Sequence, residues 1–269
     1  MKIALDAVRY VLSAVVLAIV TSGCATVPET GRKQLRLIPA SEEMQLGLSS
    51  FEKLKKETPI SKNTAATEML QRVGRRIAAV APLPNAQWEF VLFENDEPNA
   101  FCLPGGKVGV YTGILQITRD EAGLATVVAH EIAHAVARHG AERISEALLI
   151  EAGGQLLGVT LSSADPRTQA AVATAYGLGT TLGRVLPHSR AQESEADYIG
   201  LIYMARAGYD PEEAVKFWER FAEFNRRRGA GGMPVFLRTH PLDETRIRQL
   251  QSWLPKAKEE YNKSQHQAR

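Results

Sequence analysis

The sequence lacks an excess of charge of either sign, since 32 Lys and Arg residues balance 30 Asp and Glu residues to a net charge of +2. So small a charge does not indicate a polyanionic partner, and no nucleic acid is expected. Cysteine is also scarce: Cys24 and Cys102 are the only two, so the chain can form at most one internal disulfide. There is no internal repeat either. The remaining composition, 45% hydrophobic and 23% charged, is that of a globular protein with a substantial core.

No apolar run has the roughly 20 residues that a transmembrane helix requires. The run at residues 10–20 follows Lys2 and Arg9 and precedes a group of small residues that ends at Cys24. This is the pattern of a secretory signal. A Cys directly after Ser-Gly also resembles the lipobox of bacterial lipoproteins, in which that Cys is acylated. We therefore predict a signal peptide at residues 1–23 and attachment to a membrane through lipidated Cys24.

Alternatives for this end of the chain remain open. The apolar run could be retained as an anchor, and Cys24 could form a disulfide with Cys102. Thr21 departs from the lipobox, which usually has Leu at that position. Ala25 lacks the Asp that often marks retention in the inner membrane, so the outer membrane is favoured.

The centre of the chain carries His130-Glu131-Ile132-Ala133-His134, the pattern H-E-x-x-H. On a helix, two imidazoles four residues apart share one face and can bind one metal ion. A helix is predicted because Thr118 opens a Thr-x-x-Glu capping box and an apolar stripe follows it. Two neutral His nitrogens suit Zn²⁺, and Glu131, about 100° round the helix from His130, is placed to act as a general base. Two His on a helix can also be ordinary core or surface residues.

A third ligand is expected because an open catalytic zinc site has three protein ligands. Glu193 and Asp197 are spaced i, i+4 and share a face if residues 189–207 are helical. This spacing lets Glu193 bind zinc while Asp197 accepts a hydrogen bond from the far nitrogen of a ligand His. Glu195, roughly 200° from Glu193, is predicted to point away from the metal.

Together these motifs resemble the gluzincin zinc metallopeptidases of family forty-eight, and the lipoprotein-like start resembles its periplasmic branch. The similarity covers most of the chain from Ser41 to about Leu250 and includes three further segments, residues 99–106, 110–113 and 239–241. It implies one Zn²⁺ per chain, with the zinc ligands His130, His134 and Glu193, the base Glu131, and Asp197 as partner of His130.

His240 lies in a His-Pro loop, and the resemblance gives it two alternative roles. As a catalytic residue it would stabilise the oxyanion of the reaction, and as a self-inhibiting ligand it would close the fourth metal position. A third interpretation is a loop His packed under the last helix. His188 replaces the aromatic or apolar residue usual in the family, and its role is left open.

The fold expected is an α+β zincin-type domain, mostly helical, with a small sheet beside the H-E-x-x-H helix. The domain is predicted at residues 41–254, after a tether at 24–40 and before a disordered tail at 255–269. Asn99, Ala100 and Phe101 begin a segment that is either an edge strand able to pair with an extended substrate or a plain loop. Residues 141–186, rich in Ala and Gly, are interpreted as a mobile cover, with a membrane-contacting hairpin as the alternative.

The predicted function is zinc-dependent endopeptidase hydrolysis of unfolded or misassembled proteins in the bacterial cell envelope, for protein quality control. The protein would be lipid-anchored on the periplasmic side, at the outer rather than the inner membrane. The alternative is a chaperone-like factor that works with the outer-membrane assembly machinery and has latent or minor protease activity. The chain has no obvious second protein-binding domain, which favours the protease.

Overall fold

The structure is a computed structural model that describes residues 24–162, 164–180, 186–229, 232–242 and 244–267. The predicted signal peptide, residues 1–23, lies outside the described residues. The side chains of Cys24 and His188 lie outside them as well. Lipidation of Cys24 therefore stays a prediction, and the role of His188 stays open.

Helices dominate the described chain, and the strands are short. The strands are β1 Cys24–Thr26, β2 Lys33–Leu35, β3 Glu89–Phe93, β4 Ala100–Leu103 and β5 Lys107–Tyr111. The helices are α1 Ala40–Glu57, α2 Thr64–Ala78, α3 Leu115–Thr118, α4 Glu121–Val136, α5 His139–Thr160, α6 Pro166–Thr180, α7 Leu186–Arg206, α8 Glu212–Arg228, α9 Val235–Thr239 and α10 Glu244–Gln267. The expected mostly helical α+β fold with a small sheet is confirmed.

The three-stranded sheet has the order β3-β5-β4, with β3 parallel to β5 and β4 antiparallel to it. In this register Ala100 faces Val110, and Phe90 faces Val108. β4 is an edge strand, which agrees with the edge-strand interpretation of the segment that begins at Asn99. Helix α4 packs against β4, so the sheet lies beside the H-E-x-x-H helix as predicted.

Helix α4 forms the centre of the core and is buried along almost its whole length. Helix α7 packs along it, with α2 and α8 on other sides. Gly200 of α7 permits the close approach, because a Cβ at that position would lie 2.9 Å from the His130 backbone nitrogen. The contact aligns the Glu193 end of α7 with the two His of α4.

The start of α4 differs from the prediction. Asp120, not Thr118, is the N-cap, and its side chain accepts a hydrogen bond from the Gly123 backbone N–H at 2.8 Å. Thr118 instead ends α3. Arg119 separates the two helices with a φ of 68°, so the helix cannot run continuously from Thr118.

The predicted tether begins with ordered structure instead. β1 and β2 pair antiparallel, and this N-terminal hairpin, residues 24–35, packs on the domain. Val27 is fully buried, and Gln34 Nε2 donates to the Ala137 carbonyl at 2.7 Å. Cys102 is a free thiol, so the alternative Cys24–Cys102 disulfide is not formed. Buried Val27 and Gln34 are what order a segment whose Pro, Gly and basic residues suggested a linker.

The predicted disordered tail is also wrong. Helix α10 continues through Pro255 to Gln267. Ala257 is fully buried and Tyr261 packs against the core, while Glu260 pairs with Arg206 at 2.9 Å. A sparse apolar stripe therefore holds a segment whose average composition is polar.

Residues 141–186 contain most of α5 and all of the described part of α6. These helices pack against each other and leave several apolar side chains exposed, among them Leu148, Leu149 and Leu156. Within the described parts of the chain, no helix combines the length and the apolar content needed to cross a membrane.

Candidate metal centre

Four buried side chains converge at one point from different parts of the fold. His130 and His134 come from α4, Glu193 comes from α7, and His240 follows directly after α9. One potential ligand atom from each lies within 4.8 Å of all the others. His130 Nε2 and His134 Nε2 are 3.1 Å apart, and each lies 3.3 Å from an oxygen of Glu193. The structure thus brings together the residues that were predicted from the sequence as metal ligands.

This cluster fits a metal ion. Ligands about 2.0–2.1 Å from a tetrahedral zinc are separated by roughly 3.3 Å, close to the distances between these nitrogen and oxygen atoms. Glu193 Oε1 is buried and accepts no hydrogen bond from any described residue, although His134 Nε2 is its neighbour. Adjacent lone pairs with no proton between them are stabilised by a cation. Two imidazoles and a carboxylate are also a donor set typical of zinc.

His130 is supported from behind by Asp197, as the sequence predicted. His130 Nδ1 lies 2.9 Å from Asp197 Oδ1, which leaves Nε2 facing the cluster. The carboxylate is in turn held by Arg246, whose Nε and Nη2 lie 2.6 and 2.7 Å from its two oxygens. The Arg246 guanidinium also stacks 3.5 Å from the Trp218 ring centroid. Arg246 was not predicted, because nothing in its spacing to His240 distinguishes it from a surface Arg of α10.

The electrostatics separate the roles of the two site carboxylates. Burial raises the pKa of Glu131, an effect that neighbouring His240 and His130 only partly offset. Burial acts in the same direction on Glu193, but the imidazoles of His134, His130 and His240 outweigh it and hold its pKa well below the usual range. Glu193 is therefore held in the anionic form that suits a metal ligand, whereas Glu131 has a raised proton affinity that suits a general base.

The imidazoles of His130 and His134 also differ. Burial disfavours the charged form of His130, but hydrogen bonds to Asp197 and Glu193 prevail and raise its pKa to about 9. Burial lowers the pKa of His134 well below its ordinary value. The neutral form that binds metal is thus intrinsic to His134, whereas His130 must lose a proton when a metal enters.

His240 lies inside the cluster and not merely under the last helix. Its Nδ1 is 2.8 Å from Glu193 Oε2 and 3.1 Å from His130 Nε2, and its Nε2 is 3.3 Å from Glu131 Oε1. The backbone fixes this position, because the His240 N–H donates to the Phe236 carbonyl at 2.7 Å. Of the three interpretations of His240, the one that places it outside the site is therefore wrong.

Glu195 points away from the cluster, as predicted, yet it is not isolated. Its Oε2 lies 2.9 Å from His139 Nε2, and His139 Nδ1 lies 2.8 Å from His134 Nδ1. His139 was not predicted to take part in the site, since Arg138-His139-Gly140 resembles the ordinary basic end of a helix.

Comparison with known proteins is consistent with this geometry. The profile of peptidase family M48 matches residues 64–254. The chain is 42% identical over 189 residues to the mitochondrial metalloendopeptidase OMA1 of Saccharomyces cerevisiae, an alignment that covers 68% of this chain and 51% of that protein. It is 30% identical over 225 residues to the beta-barrel assembly-enhancing protease of Escherichia coli, covering 82% of this chain and 46% of that protein. The chain thus spans about half the length of these two relatives.

Proposed function

The chain belongs to peptidase family M48, and from that premise we propose that it is a zinc-dependent metalloendopeptidase. The observation that carries the proposal is the convergence of His130, His134 and Glu193, with the carboxylate of Glu131 beside them. We further propose that the substrates are unfolded or misassembled proteins.

Glu131 performs the proton transfers in the proposed mechanism. When bound, zinc supplies Lewis acidity, which polarises the scissile carbonyl and lowers the pKa of a coordinated water to about 7. Glu131 accepts a proton from the attacking water and later delivers it to the leaving amine. Its raised pKa suits both transfers, because a stronger base takes the proton more readily while the acid form remains accessible. Asp197 keeps the proton of His130 on Nδ1, so that Nε2 stays available as a ligand.

The substrate is proposed to bind as an extra strand beside β4. One edge of β4 pairs with β5. The pairing extends by one residue before β4, because the Tyr111 N–H donates to the Asn99 carbonyl at 2.9 Å. The other edge of the segment that contains Asn99, Ala100 and Phe101 would supply backbone groups to an extended peptide. Because α4 packs against β4, a peptide bound there would lie close to the metal centre.

We propose that the protein acts in the bacterial cell envelope, anchored through acylated Cys24 on the periplasmic side of the outer membrane. Support comes from the signal-like first 23 residues and from the relationship to the beta-barrel assembly-enhancing protease. Incorporation of labelled palmitate that disappears in Cys24→Ala would agree with lipidation. Absence of labelling in the wild type would refute it.

A second candidate function is supported by the position of His240. If His240 were a fourth protein ligand, it would take the place of the water, and the enzyme would be inactive at rest. The alternative is therefore a chaperone-like assembly factor that binds outer-membrane proteins and their assembly machinery and cleaves little.

Degradation of an unfolded substrate such as casein separates the two functions. The wild type is expected to degrade casein, and Glu131→Gln is expected to lose about 10²–10⁴-fold of the rate while retaining zinc, since Glu131 is not a ligand. Zinc content measured on the same samples distinguishes loss of the base from loss of the metal. If both the wild type and His240→Ala leave casein intact with zinc bound, the binding function is correct and the peptidase function is not.

A further inference from the structure

A chain of polar contacts runs from the metal centre to the N-terminal hairpin. It begins at His134, passes through His139 and Glu195, and ends at Arg32. His139 is fully buried, and Glu195 is 7% exposed. Buried polar groups are retained in a fold when they form hydrogen bonds with one another, so these contacts are an integral part of the folded structure.

A break in the helix brings His139 to His134. In a continuous helix, residues five apart lie about 140° from each other and do not meet. Here α4 ends at Val136, and Arg138 adopts a φ of 54° before α5 begins at His139. A non-glycine residue in this region costs about 1 kcal/mol or more, so the surroundings must hold it. Arg138 is held by Glu43 Oε2, 2.6 Å from its Nε.

The protons between His134, His139 and Glu195 can all be donated towards Glu195. If His134 binds metal through Nε2, its Nδ1 carries the proton and donates to His139 Nδ1. His139 then carries its own proton on Nε2, where Glu195 Oε2 accepts it. Thr30 Oγ1 and Arg32 Nε complete the set by donating to the two Glu195 oxygens. These three neighbours of Glu195 are thus all donors, and His134 is held in the tautomer that a ligand requires.

The outer end of this series of polar contacts lies in the N-terminal hairpin. Arg32 Nε lies 2.8 Å from Glu195, and its Nη1 and Nη2 lie 2.7 and 2.8 Å from the two oxygens of Glu142. One guanidinium thus connects α5 with α7, and its planar fork makes Lys an incomplete substitute. Gln34 accepts from Arg32 Nη2 at 3.1 Å, which fixes the guanidinium from within the hairpin.

We propose that His139 and Glu195 are positioning residues for the ligand His134. We call the series His134–His139–Glu195 the relay, and we propose that Arg32 holds it in place. The inference rests on the proposed zinc peptidase function. It makes metal affinity depend on the contact of Arg32 with Glu195, and Arg32 lies in the hairpin that begins at Cys24, the residue predicted to carry the lipid. The N-terminal segment is then a structural part of the metal centre in addition to an attachment point.

The test is zinc affinity, measured by competition with a chromogenic chelator, together with the visible spectrum of the Co²⁺-substituted protein. His139→Leu and Arg32→Met are expected to weaken zinc binding about 10–100-fold, the usual effect of losing a partner of a ligand His. Arg32→Lys should restore part of the affinity. The Co²⁺ bands should shift in His139→Leu, because the His134 ring is no longer oriented.

Glu29→Gln is the matched control. Glu29 lies in the same hairpin and pairs with Arg206 at 3.0 Å, but that contact does not lead to the metal centre. Its zinc affinity should stay within about twofold of the wild type. An equal loss in Glu29→Gln and Arg32→Met would mean that hairpin docking in general, not the relay, sets the affinity, and would overturn the proposal.

The outcomes also separate this inference from the proposed function. A wild type that binds no zinc would refute the zinc peptidase function itself. A wild type that binds zinc, with Arg32→Met and His139→Leu binding it as tightly, would refute only the relay. If His139→Leu fails to fold, partly exposed Arg32 still provides the test, with circular dichroism to verify folding.

Discussion

His240 and Glu193 are direct neighbours in the metal centre, with His240 Nδ1 2.8 Å from Glu193 Oε2. The same nitrogen lies 3.1 Å from His130 Nε2, so His240 stands where a fourth ligand would stand. We predict that His240→Ala increases the rate of casein cleavage, because it frees this position for water. If the fourth position is free for water about one-tenth of the time in the wild type, the cleavage rate of His240→Ala would be about tenfold higher. Bound zinc should be retained, since three ligands remain.

Thr239→Ala is the control for this prediction. Thr239 is the neighbouring residue at the end of α9, and within the described part of the chain its hydroxyl donates to the helix carbonyls of Val235 and Phe236 alone. Its cleavage rate should equal that of the wild type. A cleavage rate of His240→Ala below the wild-type rate would instead assign His240 to stabilising the oxyanion.

The inner part of the metal centre was predictable from the sequence because helical periodicity converts spacing into direction. His130 with His134, and Glu193 with Asp197, are i, i+4 pairs, and each pair needed only its own helix to share a face. The order of α4 and α7 along the chain and the family resemblance then supplied the rest. The structure places all four side chains together.

The outer part could not be predicted, because it depends on contacts between residues far apart in the chain. Arg246 reaches Asp197 across 49 positions, and Arg32 reaches Glu195 across 163. An isolated Arg in a polar stretch is typically a solvated side chain, and only the packing of the helices shows otherwise. The N-terminal hairpin and the end of α10 were missed for a different reason. Their buried side chains are too few to raise the average hydrophobicity of a polar segment.

Arg246→Met is predicted to weaken zinc binding about tenfold. It leaves the buried Asp197 carboxylate without its cation, so that this carboxylate orients His130 less well. Chelator competition measures the affinity, and tryptophan fluorescence should change as well because the guanidinium no longer covers Trp218. Removing one partner of a buried ion pair costs about 3–5 kcal/mol, so the melting temperature should also fall.

Exposed Arg248, on the same helix, provides the comparison for Arg246. Arg248→Met removes a cation of the same kind and should leave zinc affinity, fluorescence and melting temperature unchanged. Unaltered zinc affinity in Arg246→Met would show that Asp197 supports His130 without help from a cation.

Gly200→Ala is predicted to disturb the metal centre through the backbone. The added methyl group would lie 2.9 Å from the His130 nitrogen, which is too close, so α7 must move away from α4. Overpacking of this kind costs about 1–3 kcal/mol. Glu193 and Asp197 would move with α7, so zinc affinity should fall together with the melting temperature.

Gly158→Ala is the matched substitution, because a Cβ at this position of α5 meets nothing within 4 Å. It should be neutral or stabilise the fold by about 0.4–1 kcal/mol, as Ala in place of Gly reduces the freedom of the unfolded chain. Equal melting temperatures and zinc affinities for Gly200→Ala and the wild type would show that the contact between α4 and α7 can relax without cost.

The ionised form of Glu195 is predicted to stabilise the metal-free protein in a way that depends on pH. Burial opposes its ionisation, but hydrogen bonds from His139, Thr30 and Arg32 prevail and lower its pKa from 4.5 to about 2. A lowered folded-state pKa gives stability that is fully present above the ordinary value and is lost as the pH falls towards the folded value. The melting temperature of the wild type should therefore exceed that of Glu195→Gln most at pH 6, and the difference should narrow steadily from about pH 5 to about pH 3. Glu259→Gln, at an exposed carboxylate of α10, should show no such narrowing. A difference for Glu195→Gln that stays constant with pH would mean that these three donors do not stabilise the ionised carboxylate of Glu195.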